Sequence, residues 1–163
     1  MIKECPCCHM PLERKPGEAD YYCVNPLCDE KRINSLIHFA SKPAYDIDTL
    51  GEKLVRSLYE NKLIQDIPDI FTLKDHRLEL EALERMGKKS IDKLLNAIEE
   101  SKKQDLSRLI FGLGIRHCGA KVSRILANHY KSMDAIIESG YENMRQIDDI
   151  GEVIAVSYTH LTL

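Results

Sequence analysis

The sequence predicts a mainly α-helical chain: a small four-cysteine module, then a helical domain built from four copies of one unit. Three observations lead there. Two close pairs of cysteines fall within the first 28 residues. A short apolar phrase ending in glycine recurs four times downstream. Almost no alternating apolar and polar pattern, the signature of a half-buried strand, appears after residue 30.

The expected organisation is a four-cysteine module over residues 1–30, a connecting helix over 31–45 and a repeat domain over 46–163. Taking Cys5, Cys8, Cys23 and Cys28 gives C-x2-C, 14 intervening residues and C-x4-C. This is a zinc spacing, in which each pair forms a knuckle and four thiolates complete a tetrahedron. Four sulfur ligands leave no position for a catalytic water, so the implied Zn²⁺ is structural. Cys7 competes with Cys8, and His9 lies close enough to be considered; knuckle geometry favours Cys8. Disulfides are the other use of such cysteines. The opening Met1-Ile2-Lys3-Glu4-Cys5 has no apolar signal core, however, and cytosolic thiols stay reduced. Leu12-Glu13-Arg14 and Tyr21-Tyr22 read as short strands across a Pro16-Gly17 turn. So small a unit buries little core, and metal binding supplies its folding free energy.

Glu30 to Ser41 reads as a helix with Ile33, Leu36, Ile37 and Ala40 on one face, ended by Pro43. Asp66-Ile67-Pro68-Asp69 reads as a helix start, with Asp69-Ile70-Phe71-Thr72-Leu73 beginning a short connecting helix. Lys102-Lys103-Gln104 is a polar break before an apolar stretch from Leu106 to Phe111. Tyr130 to Ser132 and Glu138 to Gly140 bound a further short helix. No run of about 18 apolar residues is present, so no membrane span is expected. Residues 157–163 suit neither the repeat nor a helix, and a truncated or misread end is expected there.

The repeated phrases are Ile47-Asp48-Thr49-Leu50-Gly51, Leu83-Glu84-Arg85-Met86-Gly87, Ile115-Arg116-His117-Cys118-Gly119 and Ile147-Asp148-Asp149-Ile150-Gly151. Their glycines are 36, 32 and 32 residues apart. Seven places after the first three stand Leu58, Leu94 and Leu126, and after the fourth Tyr158. A fixed period of this length marks one supersecondary unit used repeatedly. In the second copy the glycine separates apolar stretches Leu78–Met86 and Ile91–Ile98, which suits helix, tight turn, helix. Glycine is expected there either because the turn needs φ > 0 or because the backbone must stay bare for close approach. The turn then presents a helix N-terminus, whose free N–H groups and partial positive charge suit a phosphate oxygen. A plain αα-hairpin with a glycine cap explains one copy; four matched copies favour the phosphate reading. Cys118 fills the slot of Leu50, Met86 and Ile150 and is expected to behave as a small hydrophobe.

The net charge of −3 argues against a nucleic-acid partner, but its distribution does not. Residues 85–124 hold ten Lys and Arg against four Asp and Glu, net +6, and enclose the second and third copies. A mixed-charge solvated surface is the plainer account of that block. The four copies resemble helix-hairpin-helix motifs, which hold nucleic-acid backbones without reading sequence. Where that pattern usually has a second glycine, this chain has Lys53, Lys89, Lys121 and Val153. The DNA-binding residues so implied are Gly51, Lys53, Gly87, Lys88, Lys89, Arg116, His117, Gly119, Lys121 and Gly151. The second and third hairpins are expected to carry most of the affinity, the first less, and the acidic fourth to act mainly in packing.

A zinc module followed by such hairpins resembles the central part of bacterial NAD-dependent DNA ligases. The likeness runs from Cys5 to about Ile154 through Cys5-Pro6-x-Cys8, Asn25-Pro26-x-Cys28, His38-Phe39-x-Ser41, Asp46-Ile47-Asp48-x-Leu50-Gly51 and Gly112-Leu113-Gly114-Ile115-Arg116-His117-x-Gly119. Departures cluster at the first hairpin: Lys42 for a common Arg, Tyr45 for Met and Thr49 for Gly. The resemblance implies structural Zn²⁺, a duplex DNA partner containing a nick, and a bacterial cytoplasmic enzyme acting in replication and repair. In such an enzyme, with NAD and Mg²⁺, a lysine is adenylated, AMP passes to the 5′-phosphate, and the 3′-hydroxyl attacks. That lysine sits in a Lys-x-Asp-Gly motif absent from this sequence, so no catalytic residue is expected here. Two other classes compete: a stand-alone DNA-structure-binding protein and a zinc-organised protein-interaction module.

Overall fold

The computed structural model describes residues 3–14, 16–17, 19–84, 86–151 and 155. Strands β1 (Leu12–Glu13) and β2 (Tyr22–Cys23) pair antiparallel, with Leu12 opposite Cys23 and Glu13 opposite Tyr22. The second strand starts one residue later than Tyr21-Tyr22 suggests and thereby holds Cys23 in the ladder. Helix α1 (Asp29–Ala40) follows Cys28 directly and buries Ile33, Leu36, Phe39 and Ala40. Phe39 takes the place in the core expected for Ile37, which is only partly buried. Pro43 lies two residues past the C-cap, Ser41, because it cannot continue a helix.

The helices that follow are α2 (Glu52–Glu60), α3 (Ile67–Thr72), a 3₁₀ turn (Leu73–His76), α4 (Arg77–Glu81) and α5 (Lys88–Ser101). Then come α6 (Leu106–Gly112), α7 (Ala120–Tyr130) and α8 (Met133–Arg145). Asp66 and Asp69 form a capping box at the start of α3, with Pro68 in its first turn. Asp105 caps α6 by accepting from the Ser107 and Arg108 backbone N–H groups. Helix α4 is shorter than the stretch to Met86 suggests, because the chain leaves the helix at Ala82 to make its turn. Gly140, at φ 66° and ψ 170°, is non-helical and divides α8 into two helices, so the short helix that starts at Met133 ends there as expected.

In each copy the turn is closed by one backbone hydrogen bond between its two apolar ends. Leu50 N–H donates to Ile47 O (3.2 Å), Met86 to Leu83 (3.3 Å), Cys118 to Ile115 (2.9 Å) and Ile150 to Ile147 (3.0 Å). The glycine that follows is not the residue at positive φ. Gly51, Gly87 and Gly119 have φ of −83°, −78° and −75° and serve as extended N-caps. The left-handed position is two residues earlier, at Thr49 (φ 73°), His117 (φ 63°) and Asp149 (φ 70°). Of the two reasons offered for glycine, positive φ is therefore wrong. The carbonyls of Gly51, Gly87 and Gly119 open helices by accepting from the Val55, Ile91 and Ser123 N–H groups, and Gly151 O accepts from Ala155 N–H. Arg85, Glu152 to Ile154 and the anomalous 157–163 lie outside the described residues.

The described apolar side chains form two clusters. One gathers α1 to α5 and the first two turns, centred on Phe39, Leu58, Leu80, Ile91 and Leu94. The other gathers α6 to α8 and the last two turns around Ile110, Leu126, Ile136 and Ile150. Leu58, Leu94 and Leu126, seven places after their glycines, are fully buried, as the repeat requires. Among the described residues no helix is long and apolar enough to cross a membrane.

Thr49 is a β-branched residue in the left-handed region, a conformation that costs an L-residue about 1–2 kcal/mol. Its Oγ1 is also buried without a hydrogen-bond partner. Thr49→Gly should raise the melting temperature by a few degrees, roughly 1 kcal/mol once glycine's extra unfolded-state entropy is counted. A thermal melt showing no gain or a loss would mean the turn carries no strain at this residue.

Candidate metal centre and nucleic-acid interface

The four sulfurs of Cys5, Cys8, Cys23 and Cys28 all lie within 4.8 Å of one another. Cys5 and Cys28 sulfurs are 3.9 Å apart and those of Cys8 and Cys23 3.5 Å. A tetrahedron with Zn–S bonds of about 2.3 Å has edges of roughly 3.8 Å, so the cluster has the size that zinc needs. These separations are far too long for disulfide bonds, which span about 2.05 Å. The cysteines are free thiols. Cys7 and His9 are not in this group of four, and both are exposed.

The local sequence explains this convergence. Cys5 N–H donates to Met10 O (2.8 Å) and His9 N–H to Cys5 O (2.9 Å), folding the first knuckle back on itself. In the second knuckle Asn25 Oδ1 accepts from Leu27 N–H (2.9 Å), an Asx turn that brings Cys28 towards Cys23. The same Asn25 side chain is the main influence drawing the Cys8 thiol down to about 6, ahead of the Met10 backbone. Cys28 behaves oppositely. The Lys31 backbone lowers it, but burial and the adjoining thiols prevail and push it up to about 12. Cys23 is raised by burial. Four thiols this close cannot all ionise by themselves, and a divalent cation removes that conflict. Asn25 was not singled out from sequence as part of this site, although an Asn-Pro inside the C-x4-C loop is a turn signal.

The three described helices that follow repeat glycines share an unusual start. Gly51, Gly87 and Gly119 offer no side-chain cap to α2, α5 and α7. A Cβ built on any of the four repeat glycines, Gly151 included, would meet nothing within 4 Å. No internal packing therefore excludes a side chain, and Ser, Thr or Asp would cap better. The backbone at these glycines is left bare to solvent. Lys88 and Lys89 form the first turn of α5, and Lys121 lies in that of α7; neither turn holds an acidic residue. The helix dipole favours carboxylates there and disfavours lysines.

The surrounding basic block is largely spoken for. Lys102 and Lys103 pair with Glu99 (2.6 Å) and Glu100 (2.7 Å), and Lys93 with Asp48 (3.5 Å). Arg108 donates to backbone carbonyls of Lys42 and Ala44. Arg56, counted with the first hairpin, is held by Glu30 (2.7 Å) and Glu52 (3.1 Å). Arg116 lies over the Tyr22 ring at 5.1 Å, joining the third turn to the cysteine module, and its Nε donates to His117 Nε2 (3.2 Å). Lys121 Nζ reaches Asp149 of the fourth turn at 3.3 Å. Lys53, Lys88 and Lys89 are exposed and make no ion pair with a described residue. Sequence counting placed the net +6 correctly but not its neutralisation, which depends on side chains meeting across elements. Cys118 is buried as expected, close to the Ser123 hydroxyl (3.6 Å), and burial raises its thiol.

Comparison with known proteins adds two family matches. Residues 4–29 match the NAD-dependent DNA ligase C4 zinc finger domain, and residues 108–160 match the helix-hairpin-helix motif. The DNA ligase of Acholeplasma laidlawii is 54% identical over 159 residues, covering 98% of this chain and 24% of the relative. That of Macrococcus caseolyticus is 50% identical over 157 residues, covering 96% and 23%. That of Phytoplasma australiense is 41% identical over 160 residues, covering 96% and 24%. The chain spans about a quarter of the length of these relatives.

Metal content provides the check on the cysteine cluster. Serine in place of Cys5, Cys8, Cys23 or Cys28 should take bound zinc from one ion per chain to well below one, while Cys7→Ser should leave it unchanged. Because binding displaces thiol protons, acid should release the metal, and affinity should recover as pH rises. Full zinc retention in Cys28→Ser would refute this ligand set.

Proposed function

We propose, from a chain that belongs with the zinc-finger and helix-hairpin-helix region of the DNA ligase family, that it grips the backbone of nicked duplex DNA independently of sequence. The catalytic steps would belong to the other parts of a longer NAD-dependent enzyme. The observation that carries this reading is the placement of Lys88, Lys89 and Lys121 at the positive poles of α5 and α7. Three cations there, beside uncapped N–H groups and glycines open to solvent, destabilise the free protein slightly. A phosphate reverses each of those penalties at once. Cys5, Cys8, Cys23 and Cys28 would hold the structural Zn²⁺.

The second hairpin, whose two lysines pair with no described carboxylate, makes the strongest grip in this reading. The third follows, through Gly119, Arg116, His117 and Lys121. The first offers Gly51 and Lys53 alone, since Arg56 is engaged by carboxylates. The fourth offers Gly151 but carries Asp148 and Asp149. Asp149 also occupies Lys121, acting in the free protein where a phosphate oxygen would sit.

The test is nicked-duplex binding measured against salt concentration. Lys88→Ala with Lys89→Ala should weaken binding and flatten the log–log salt slope by about one unit for each phosphate no longer neutralised. An unchanged slope would sink the reading in favour of a protein-interaction module. Asp149→Asn should strengthen binding at low salt by about two- to fivefold by releasing Lys121, within the range of exposed ion pairs. Weaker binding by this variant would show that Asp149 supports the turn and does not compete with phosphate. Incubated with labelled NAD, the chain should acquire no covalent AMP; a labelled band would reveal a nucleotidyltransferase site in it.

A further inference from the structure

The first two hairpins and the last two draw on different buried clusters, so no common core fixes the distance between them. The chain passes from one to the other through the turn Lys102-Lys103-Gln104, in which the exposed Lys102 and Lys103 pair with Glu99 and Glu100 and Gln104 is half-buried. The two halves meet where the C-terminal end of α1 faces α6. His38 Nε2 donates to Phe111 O at 2.9 Å. Arg108 Nη1 donates to Ala44 O (2.8 Å) and Lys42 O (3.1 Å), the carbonyls just past α1. Between these bonds the Phe39 ring lies so close to Gly112 that a Cβ there would come within 2.9 Å of it. Gly114, at φ 64°, brings its backbone under the His38 ring. Leu109 of α6, partly buried, adds an apolar touch against the first cluster. The His38 and Phe111 rings also meet, tilted, at 5.1 Å, and the remaining links are polar and directional or need the absence of a side chain. Such links fix a geometry more than they add burial.

We propose that this α1–α6 junction is a ruler: His38 and Arg108 are positioning residues that set the separation of the two hairpin pairs, so that both engage one duplex together. This rests on the reading of the hairpins as phosphate-binding. If each pair binds weakly alone, holding the second at the correct spacing converts its binding into an intramolecular step, and affinity rises although no new bond to DNA is made. A loosened junction forfeits that advantage while leaving each hairpin intact.

The experiment measures the affinity of the full chain for a length series of nicked duplexes, from about one to about three helical turns, roughly 10 bp each. Wild-type affinity should climb steeply once a duplex spans both pairs. His38→Leu with Arg108→Met should lose about tenfold or more on the long duplexes and little on the shortest. His38→Gln, whose side-chain amide can still donate to Phe111 O, should restore most of the length dependence. Circular dichroism and zinc content verify that the variants fold. Equal losses at every length would reduce the junction to ordinary stability, and no loss would overturn the ruler. If the wild type binds no duplex of any length, the DNA reading itself fails, whereas loss of binding only in Lys88→Ala/Lys89→Ala would spare that reading and refute the junction.

Discussion

One constraint recurs through the helical part: two apolar residues three apart, joined by a single backbone hydrogen bond, must both reach a core. Ile47 with Leu50 and Ile115 with Cys118 satisfy it, each at least nine-tenths buried. Closing so short a loop forces the residue before the second anchor into the left-handed region, as at Thr49, His117 and Asp149. The chain is extended again at the glycine, where its backbone faces outwards as a helix begins. The bare glycine N-cap, the free N–H groups and the solvent-facing first turn are all consequences of burying that apolar pair. The turn converts a packing requirement inside the protein into a presentation outside it.

The same division between inner demand and outer display holds in the cysteine module. Its interior is a cluster of sulfurs that repel one another once ionised, and the hydrogen bonds that the Met10 carbonyl and Asn25 Oδ1 accept aim them. Little else is buried there: Met10, Val24 and Leu27 are all exposed. The module resembles other small units in which a metal supplies what an apolar core supplies elsewhere. Its attachment to the rest of the chain includes Tyr22 beneath Arg116, a side chain of the third turn. A residue next to a sulfur ligand thus touches a residue of the presented surface.

Much of this was legible in the sequence because it is written in short-range spacing. The cysteine pairs, the period of the glycines and the apolar anchors each depend on residues a few places apart. The start of α3 was readable from Asp66, Pro68 and Asp69 for the same reason. What sequence missed depends on residues brought together from afar. The burial of Phe39 over Ile37 follows from Tyr45, Phe71 and Gly112 closing around that side of α1. The neutralisation of Lys93 by Asp48, and of Lys121 by Asp149, joins residues from different repeats. The role of glycine was half readable: residue type marked the position, but only backbone angles could show that the left-handed residue lies two places earlier.

The two separate apolar clusters carry a consequence for how the chain assembles. Within each cluster most of the packed helices are adjacent or nearly adjacent in sequence, as α1 with α2 and α6 with α7, so most loops to be closed are short and their formation is fast. The α1–α6 bonds join residues such as His38 and Phe111, 73 positions apart. Each end is positioned by its own cluster, so these bonds form late, and no buried cluster spans them. Opening of the native chain should therefore begin at that seam, leaving two cooperative units whose amides exchange with solvent independently.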